Sequence, residues 1–261
     1  MGVVRPPAAA GTFYPGAAVE LGQMITQLLA DSDPPDIDID PAVLIVPHAG
    51  YLYSGPVAAT AYRLLAALEP RPRRIVALGP SHFVRFAGIA APAADALQTP
   101  LGMIAVDATI PEGVIQSAAA HASEHSLEVQ LPFLQHVLAE FTVLPLLTGD
   151  VDPEEASSVL SEALDHPAAF GIISSDLSHY LDYRTARRRD EATAQAIVDR
   201  RPGDIRRDDA CGSTAVRAAL GVARERGWQC RLLDLRNSGD TAGDRSRVVG
   251  YGAFVLGPAG S

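Results

Sequence analysis

The sequence is poor in cysteine and tryptophan. Its 261 residues include two cysteines, Cys211 and Cys230, and a single tryptophan. Two cysteines are too few for a disulfide framework, and a chain of this length buries enough surface to hold itself together through a hydrophobic core. We therefore expect both thiols to be reduced and the protein to be cytoplasmic.

Positive charge is also scarce. Lysine and arginine total 21 against 31 aspartates and glutamates, so the formal net charge is −10. Nucleic acids and anionic membrane surfaces both attract concentrated positive charge. The arginines near 184–189 and 200–207 alternate with acidic residues, which is typical of solvated helix faces. We therefore predict neither a nucleic acid nor a membrane as partner.

Long apolar runs and several well-known motifs are missing as well. No apolar stretch approaches the roughly eighteen residues of a membrane span. The first residues are interrupted by prolines, lack the apolar core of a signal peptide, and place Pro6 where a myristoylation signal has serine or threonine. A phosphate-cradling glycine loop, a paired-cysteine zinc motif and a nucleophile elbow are not found.

What the sequence does contain is an alternation of short apolar runs with longer helical patterns. The apolar runs predict buried strands at 42–46, 74–78, 141–147, 169–174, 229–235 and 247–256. The helical patterns predict helices at 56–69, 126–139, 153–165, 184–199 and 210–226. This alternation predicts an α/β protein, a single domain over residues 1–261, with a mixed, largely parallel β-sheet flanked by helices on both faces.

Histidines follow three of the predicted strands. His48 comes directly after the strand at 42–46, His82 after the strand at 74–78, and Asp176 with His179 after the strand at 169–174. Ligands of open α/β sheets bind at the carboxyl ends of the strands. Because imidazole is the commonest protein ligand of transition metals, the pattern favours a shared metal site over acid–base catalysis alone.

A cysteine and a further histidine are candidates for the same site. Cys211 stands at the start of the predicted helix 210–226, where unpaired amides would stabilise a thiolate, so it is a candidate metal ligand or nucleophile. His125 precedes another predicted helix and is interpreted either as a capping or as a site-lining residue. The remaining histidines, His121, His136 and His166, are predicted to lie on the surface.

Seven short motifs identify a family resemblance. They are AGTFYP (10–15), VPHAGYLYSGPVAA (46–59), LGPSHF (78–83), EHSLEVQLPFLQ (124–135), ISSDLSHY (173–180), ACG (210–212) and GYGAF (250–254). In content and order, over about residues 5–255, they resemble the Memo family, whose prokaryotic members are called AmmeMemoRadiSam system protein B.

The resemblance implies a fold and a site. The family is similar in fold to the class III extradiol dioxygenases, which hold Fe(II) with two histidines and a carboxylate and use a further histidine as acid–base catalyst. The implied metal ligands are His48, His82 and Cys211, the implied catalytic residues are His179 and Asp176, and the implied pocket residues are Phe13, Tyr51 and His125. A thiolate in place of the carboxylate leaves Fe(II) as our first expectation and makes Cu or Zn alternatives.

Three functions remain open at this point. The first is a metal-dependent, dioxygenase-like oxidoreductase, and the second is a non-catalytic metal- or peptide-binding module in redox regulation or complex assembly. The third is a metal-free hydrolase with Cys211 as nucleophile, His179 as base and Asp176 as the residue that orients the base. The ligand would be a small molecule or a peptide, and the family name implies a functional link to AMMECR1-like and radical-SAM proteins.

Overall fold

The structure, a computed structural model, describes residues 2–260 and contains twelve strands and eight α-helices within them. The strands are β1 (Val4–Arg5), β2 (Val43–Val46), β3 (Arg74–Pro80), β4 (Ile89–Ala91), β5 (Ala96–Thr99), β6 (Gly102–Val106), β7 (Ile115–Gln116), β8 (Thr142–Thr148), β9 (Ala169–Ser174), β10 (His179–Leu181), β11 (Gln229–Asn237) and β12 (Val248–Gly257). The helices are α1 (Ala18–Ala30), α2 (Tyr51–Ala66), α3 (Ala118–Ala122), α4 (Leu131–Val137), α5 (Pro153–Leu164), α6 (Tyr183–Val198), α7 (Ser213–Glu225) and α8 (Ser238–Thr241).

One sheet holds all these strands, in the order β1-β5-β6-β8-β3-β9-β2-β12-β10, with β11 beside β12 and β4 beside β7 and β8. Its centre, β8-β3-β9-β2, is entirely parallel. The long strand β12 then runs antiparallel to β2 and to β11. The predicted mixed, largely parallel sheet is thus confirmed, and the carboxyl ends of β2, β3 and β9 lie at the same edge.

Helices cover both faces of the sheet, which explains why its central strands are apolar without alternation. In β2, Leu44 and Val46 pack into the core shared with α1, α2 and α4, whereas Val43 and Ile45 pack into the core shared with α5, α6 and α7. Successive side chains of a strand point to opposite faces. Burying all four therefore needs a helical layer on each side, as the fold class predicted.

The start of α2 differs from the sequence prediction. Pro56 was expected to open this helix, because proline favours the first helical position. The helix instead begins at Tyr51, with Gly50 as its N-cap and the amide of Ser54 donating to the Gly50 carbonyl over 3.0 Å. Pro56 therefore lies inside the helix, and α2 starts only three residues after His48.

Two other predicted helices are shorter than expected. The segment 126–139 begins with a 3₁₀ turn at Glu128–Gln130 and becomes α-helical from Leu131 to Val137. The helix predicted at 210–226 begins at Ser213, with Gly212 as its N-cap, so Cys211 lies outside it. Helix α1 and the strands β4 to β7 were not predicted. Among the helices of residues 2–260, none is both long and apolar enough to cross a bilayer.

Candidate metal centre

The predicted meeting of histidines at the sheet edge occurs in the structure. His48 follows β2 by two residues, His82 follows β3 by two residues, and His125 approaches from the turn before the 3₁₀ helix. The ring centroids of His48 and His82 are 5.3 Å apart, those of His82 and His125 are 4.8 Å apart, and those of His48 and His125 are 5.6 Å apart. The three imidazoles therefore form one cluster.

This cluster has the spacing of a metal site. Each histidine offers one ring nitrogen, and the three nitrogens all lie within 4.8 Å of one another. A transition-metal ion of the kind that imidazole prefers sits about 2.0–2.1 Å from each nitrogen. Three nitrogens so close together can reach one ion with small side-chain adjustments, so the residues present fit a bound metal.

The hydrogen bonds of His48 fix which of its nitrogens is available. The hydroxyl of Ser174 donates to the carbonyl of Ser126 over 2.6 Å, so its lone pairs accept from the Gln130 amide and from Nδ1 of His48. The Nδ1–Oγ distance is 2.9 Å. Nδ1 therefore carries the proton, and Nε2 presents a lone pair to the site.

A buried carboxylate does the same for His82. Oε1 of Glu124 lies 2.9 Å from Nδ1 of His82, and Oε2 accepts the backbone N–H of His82 over 2.5 Å. Burial alone would raise the pKa of Glu124, but the hydrogen bonds from His82 and Ser126 lower it to about 2. The ionised carboxylate accepts the Nδ1 proton, which leaves Nε2 as the ligand atom, an arrangement common around metal-bound histidines.

Sequence reasoning did not single out Glu124. Its only signal was its place beside His125 in the string EHS. Its partner His82 is 42 residues away in the sequence, so the pairing could be found only after both turns had been placed at the same sheet edge.

His125 is held by its neighbours rather than by hydrogen bonds. Its ring packs against Phe13 at a centroid distance of 4.4 Å and stacks on His82. Its Nδ1 is buried, lies 3.3 Å from Oε1 of Glu124 and makes no hydrogen bond within residues 2–260. An unsatisfied buried nitrogen in a histidine cluster is a further indication that the site accepts an ion.

The protonation of the cluster also suits a metal. Burial lowers the pKa of His48 well below its ordinary value, and the neighbouring imidazoles of His82 and His125 lower it further. Burial likewise lowers the pKa of His125. At neutral pH the rings of His48 and His125 are therefore uncharged, which is the form that binds a metal ion.

Cys211 reaches the cluster from the other side. Its sulfur lies 3.2 Å from Nε2 of His48 and accepts the backbone N–H of Asp176 over 3.3 Å. The adjacent Gly212 makes this approach possible, because a Cβ there would lie 2.6 Å from the carbonyl oxygen of Ser174. The sequence prediction correctly brings Cys211 beside His48, although the two residues are 163 positions apart.

The expected reason for the reactivity of Cys211 is wrong. The thiol was predicted to occupy the first turn of a helix, where its pKa would fall. Because the helix begins two residues later, burial and then the neighbouring Asp176 carboxylate dominate, and they raise the pKa of Cys211 to about 12. Without a metal the sulfur is therefore a neutral thiol at physiological pH.

Asp176 and His179 lie next to the cluster, but they are not joined as a pair by a hydrogen bond within the described residues. Oδ1 of Asp176 accepts the backbone N–H of His48 over 2.8 Å, and burial raises the pKa of this carboxyl. Nδ1 of His179 lies 2.8 Å from the carbonyl oxygen of Leu177. This carbonyl, and not Asp176, therefore orients the His179 ring.

A cavity of about 1090 Å³ opens above the cluster. His48, His82, His125, Asp176, His179 and Cys211 all line it, and Phe13 forms part of its wall. The structure places Tyr51 in the core instead, where it is 2% exposed and donates its hydroxyl to the carbonyl of Val129. Tyr53, two residues further along α2, lines the cavity in its place.

Cys211 also borders a second cavity of about 710 Å³, which lies beyond the carboxyl end of β3. The two cavities share Cys211 and Arg207, so the sulfur stands on the partition between them.

One of the three histidines predicted on the surface is buried. His121 is 5% exposed, its Nε2 lies 2.9 Å from the carbonyl oxygen of Ala90, and burial lowers its pKa to about 4. That hydrogen bond satisfies it inside the core, which the sequence did not reveal. His136 and His166 are exposed, as predicted.

Comparison with known proteins shows which family the chain belongs to. The family model described as Memo-like protein matches residues 5–255. A MEMO1 family protein of Aquifex aeolicus is 36% identical over 270 residues, which cover 97% of this chain and 99% of the relative. A MEMO1 family protein of Methanopyrus kandleri is 34% identical, with 97% and 98% covered, and one of Methanosarcina acetivorans is 35% identical, with 97% and 99% covered.

The fold and the site define an α/β protein with a histidine-rich group suited to a metal ion at the carboxyl edge of its sheet. With the family model matching nearly the whole chain, the protein belongs to the Memo family.

Proposed function

We propose that the protein binds a divalent or redox metal ion through His48, His82 and Cys211 and acts as a dioxygenase-like oxidoreductase. The observation that carries the proposal is the way the two histidines are fastened. Each donates its Nδ1 proton to a buried partner, Ser174 or Glu124, and so presents Nε2 to the same point. Buried polar partners that fix a ring in this way are typical of metal-bound histidines.

Cys211 is the proposed third ligand. Two ligands about 2.0–2.3 Å from one ion lie roughly 3–3.6 Å apart at bond angles between 90° and tetrahedral. The 3.2 Å between the sulfur and Nε2 of His48 falls within this range. A bound cation would also favour the thiolate, which the buried, metal-free thiol does not form at neutral pH. His125 would line the site next to these ligands.

Fe(II) is the proposed metal, with Cu or Zn as alternatives, because a site with two imidazoles and one thiolate suits all three. When bound, Fe or Cu would supply Lewis-acid and redox chemistry to a catechol-type substrate, whereas Zn would supply Lewis-acid chemistry alone. The protein would supply a walled cavity that excludes bulk water from one side of the substrate and holds its ring near Phe13 and Tyr53.

His179 is the proposed acid–base residue. Because its Nδ1 is hydrogen-bonded to the Leu177 carbonyl, the neutral ring carries its proton there and offers Nε2 as a proton acceptor in the cavity. Asp176 serves this arrangement indirectly. By accepting the His48 amide it fixes the turn after β2, and its own backbone contacts the Cys211 sulfur.

The metal assignment can be tested by elemental analysis of anaerobically purified protein. We expect wild type to hold about one ion per chain, and His82→Ala and Cys211→Ser to lose most of it while remaining folded, because the site lies at the sheet edge. His136→Ala is the matched control, since that histidine is exposed and outside the cavity.

The third ligand is decided by comparing Cys211→Ser with His125→Gln after loading with Co²⁺. A thiolate ligand gives a sulfur-to-cobalt charge-transfer band in the near ultraviolet, and we expect Cys211→Ser to abolish it and His125→Gln to retain it. The opposite result would assign the third position to His125 and contradict the proposed ligand set.

The catalytic assignment is tested by oxygen uptake with a panel of catechols. His179→Gln should keep the metal and lower turnover by about 10²–10⁴-fold, the usual contribution of a positioned acid or base. Equal turnover in both proteins would remove His179 from the mechanism.

A second candidate function is a non-catalytic module that binds a metal together with a small molecule or a peptide. It is favoured by the size of the cavity, about 1090 Å³, which is at the upper limit for small-molecule sites, and by exposed aromatic side chains such as Phe83 and Tyr180. Absence of oxygen uptake with every catechol, alongside normal metal content, would favour it. The cytoplasmic location and the link to AMMECR1-like and radical-SAM proteins stay predictions.

A further inference from the structure

Three arginines line the cavity above the histidine cluster, namely Arg189, Arg207 and Arg247. This positive group stands out because the chain as a whole has a formal charge of −10. Two carboxylates, Asp176 and Asp208, line the same cavity, so its walls carry a formal excess of positive charge. Asp176 is moreover buried and already accepts the amide of His48.

The arginines differ in how far the protein itself neutralises them. Nε of Arg189 donates to Oδ1 of Asp209 over 2.7 Å, a well-formed and partly buried ion pair. Arg207 is 3.6 Å from Asp150, and both side chains are more than four-fifths exposed, so solvent screens this pair.

Arg247 has no carboxylate partner within residues 2–260. Its guanidinium instead lies 5.0 Å from the centre of the Tyr180 ring. When a guanidinium stacks on an aromatic face, its N–H donors point outward in the plane of the guanidinium and stay available for an oxyanion. Arg247 is therefore the cation at the cavity that is best placed to receive a ligand.

Tyr180 holds a backbone conformation that needs an explanation. Its φ of 59° lies in the left-handed region, which is unfavourable for a residue with a large side chain, and its side chain is 63% exposed. Such strain persists only where the surrounding structure imposes it, and it clusters at ligand sites. Here it keeps the ring at the exposed rim of the cavity, against Arg247.

We infer that the cavity binds a small aromatic molecule with an oxyanion group, carboxylate or phosphate. The oxyanion would pair with Arg247 at the rim, while the flat body of the ligand lies along the aromatic wall that includes Phe13 and Tyr53 and its far end reaches the His48–His82 centre. The inference rests on the proposed function for the far end of the ligand, whereas the arginine end is independent of any metal.

The test compares ligands of the same shape that differ in charge. Calorimetric titration with 3,4-dihydroxybenzoate and with its uncharged amide, 3,4-dihydroxybenzamide, isolates the contribution of the oxyanion. We expect the benzoate to bind about tenfold or more tightly than the amide, since charge-assisted hydrogen bonds to arginine are the strong ones. The preference should weaken with added NaCl. Titration with phenyl phosphate shows which of the two oxyanions is favoured.

Arg247→Gln should remove most of this preference, without changing thermal unfolding because the residue is exposed. Arg73→Gln is the matched control. That arginine is 76% exposed and precedes β3, at the opposite end of the strand from the cavity, and its replacement changes the net charge by the same amount. The control should keep the full preference for the benzoate.

Several outcomes would overturn the inference. They are equal affinity for benzoate and amide, a preference that survives Arg247→Gln, an equal loss in Arg73→Gln, or no saturable binding of any anionic probe. Running each titration on metal-free and on Fe(II)-loaded protein separates the two proposals. A protein that binds no metal but still prefers the benzoate would contradict the proposed function and leave the arginine site in place.

Discussion

Two segments contribute side chains to the wall of the cavity, and their polar groups are satisfied to different degrees. In the segment 124–130, the side chains of Glu124, Ser126, Glu128 and Gln130 are all buried and all hydrogen-bonded. In the segment 176–180, the hydroxyl of Ser178 is buried without a hydrogen bond among the described residues, and Tyr180 has a left-handed backbone. Behind it, Oδ2 of Asp190 is likewise unpaired.

This difference matches what each segment contributes to the site. The segment 124–130 fixes His48 and His82, whose nitrogens have to converge within a narrow distance, through the hydrogen bonds of Glu124, Ser126 and Gln130. Nδ1 of His125, which faces the same site, has no hydrogen bond among residues 2–260. The segment 176–180 presents His179 and Tyr180 to a ligand. Unsatisfied groups and strain lower the local stability of this segment. Ligand-binding segments are commonly among the less stable parts of a protein.

The largest expected effect comes from replacing Glu128, in the segment 124–130. Its carboxylate forms a buried ion pair with Arg5 and accepts the amides of Ala8 and Ala9 over 2.8 Å each and the hydroxyl of Tyr14 over 2.5 Å. Glu128→Ala leaves Arg5 buried without its partner, so we expect the free energy of unfolding to fall by about 3–5 kcal/mol.

Urea denaturation measures this change. The matched control is Glu191→Ala, which removes an exposed i,i+4 partner of Arg187 and should cost no more than about 0.5 kcal/mol. A loss of similar size in both variants would show that the network around Glu128 adds nothing beyond a surface pair.

The next effect is a pH dependence of stability that comes from Asp190, which lies behind the segment 176–180. Burial raises its pKa from 3.8 to about 6, against the hydrogen bond from the Ser178 amide. Between pH 4 and 6 the native state therefore binds more protons than the unfolded state, so this group lowers stability as the pH rises through that window. Above pH 6 the full penalty, on the order of 2–3 kcal/mol, is present.

Asp190→Asn keeps an acceptor for the Ser178 amide and carries no charge at any pH. We expect the variant to be more stable than wild type at pH 7 and equally stable near pH 4, as measured by urea unfolding across this range. A constant difference between the two proteins at every pH would contradict the assignment of the titrating group.

The third effect is a loss of metal affinity when Glu124, in the segment 124–130, is replaced. Glu124→Gln replaces the ionised acceptor of the His82 Nδ1 proton with a neutral amide, and loss of such a partner typically weakens metal binding by 10–100-fold. Competition with a chromophoric chelator measures the affinity. Glu191→Gln should leave it unchanged, and a tenfold loss in that control would indicate a general electrostatic effect instead.

The smallest effect is expected at Tyr180. Tyr180→Gly relieves the left-handed backbone and removes a mostly exposed ring, so the free energy of unfolding should rise by up to about 1 kcal/mol. Thermal unfolding measures it. A clear loss of stability would mean that the contact between Arg247 and the ring outweighs the strain.

The sequence was most informative where function follows from local order along the chain. His48 and His82 could be placed because each stands directly after an apolar run, and the carboxyl ends of parallel strands share an edge. The same rule brought His179 to the cavity. These predictions needed no knowledge of which strands are neighbours.

Features that depend on distant partners could not be predicted. Glu128 is buried because Arg5, 123 residues earlier, neutralises it, and no local pattern signals such a pair. The pKa of Cys211 was predicted in the wrong direction because helix α7 begins after Gly212, where a close approach to Ser174 leaves no room for a side chain. Both outcomes are decided by packing rather than by periodicity.

The proximity of Cys211 to His48 also has a consequence for biosynthesis. Contacts between residues far apart in sequence form late, because the intervening chain has to be ordered first. As the ribosome delivers the chain, the two imidazoles emerge long before the thiol, which lies 163 positions after His48. An ion captured by the growing polypeptide would have two of its proposed ligands, and the third arrives only when most of the protein has been synthesised. Complete metal loading would therefore mark the end of folding rather than guide its beginning.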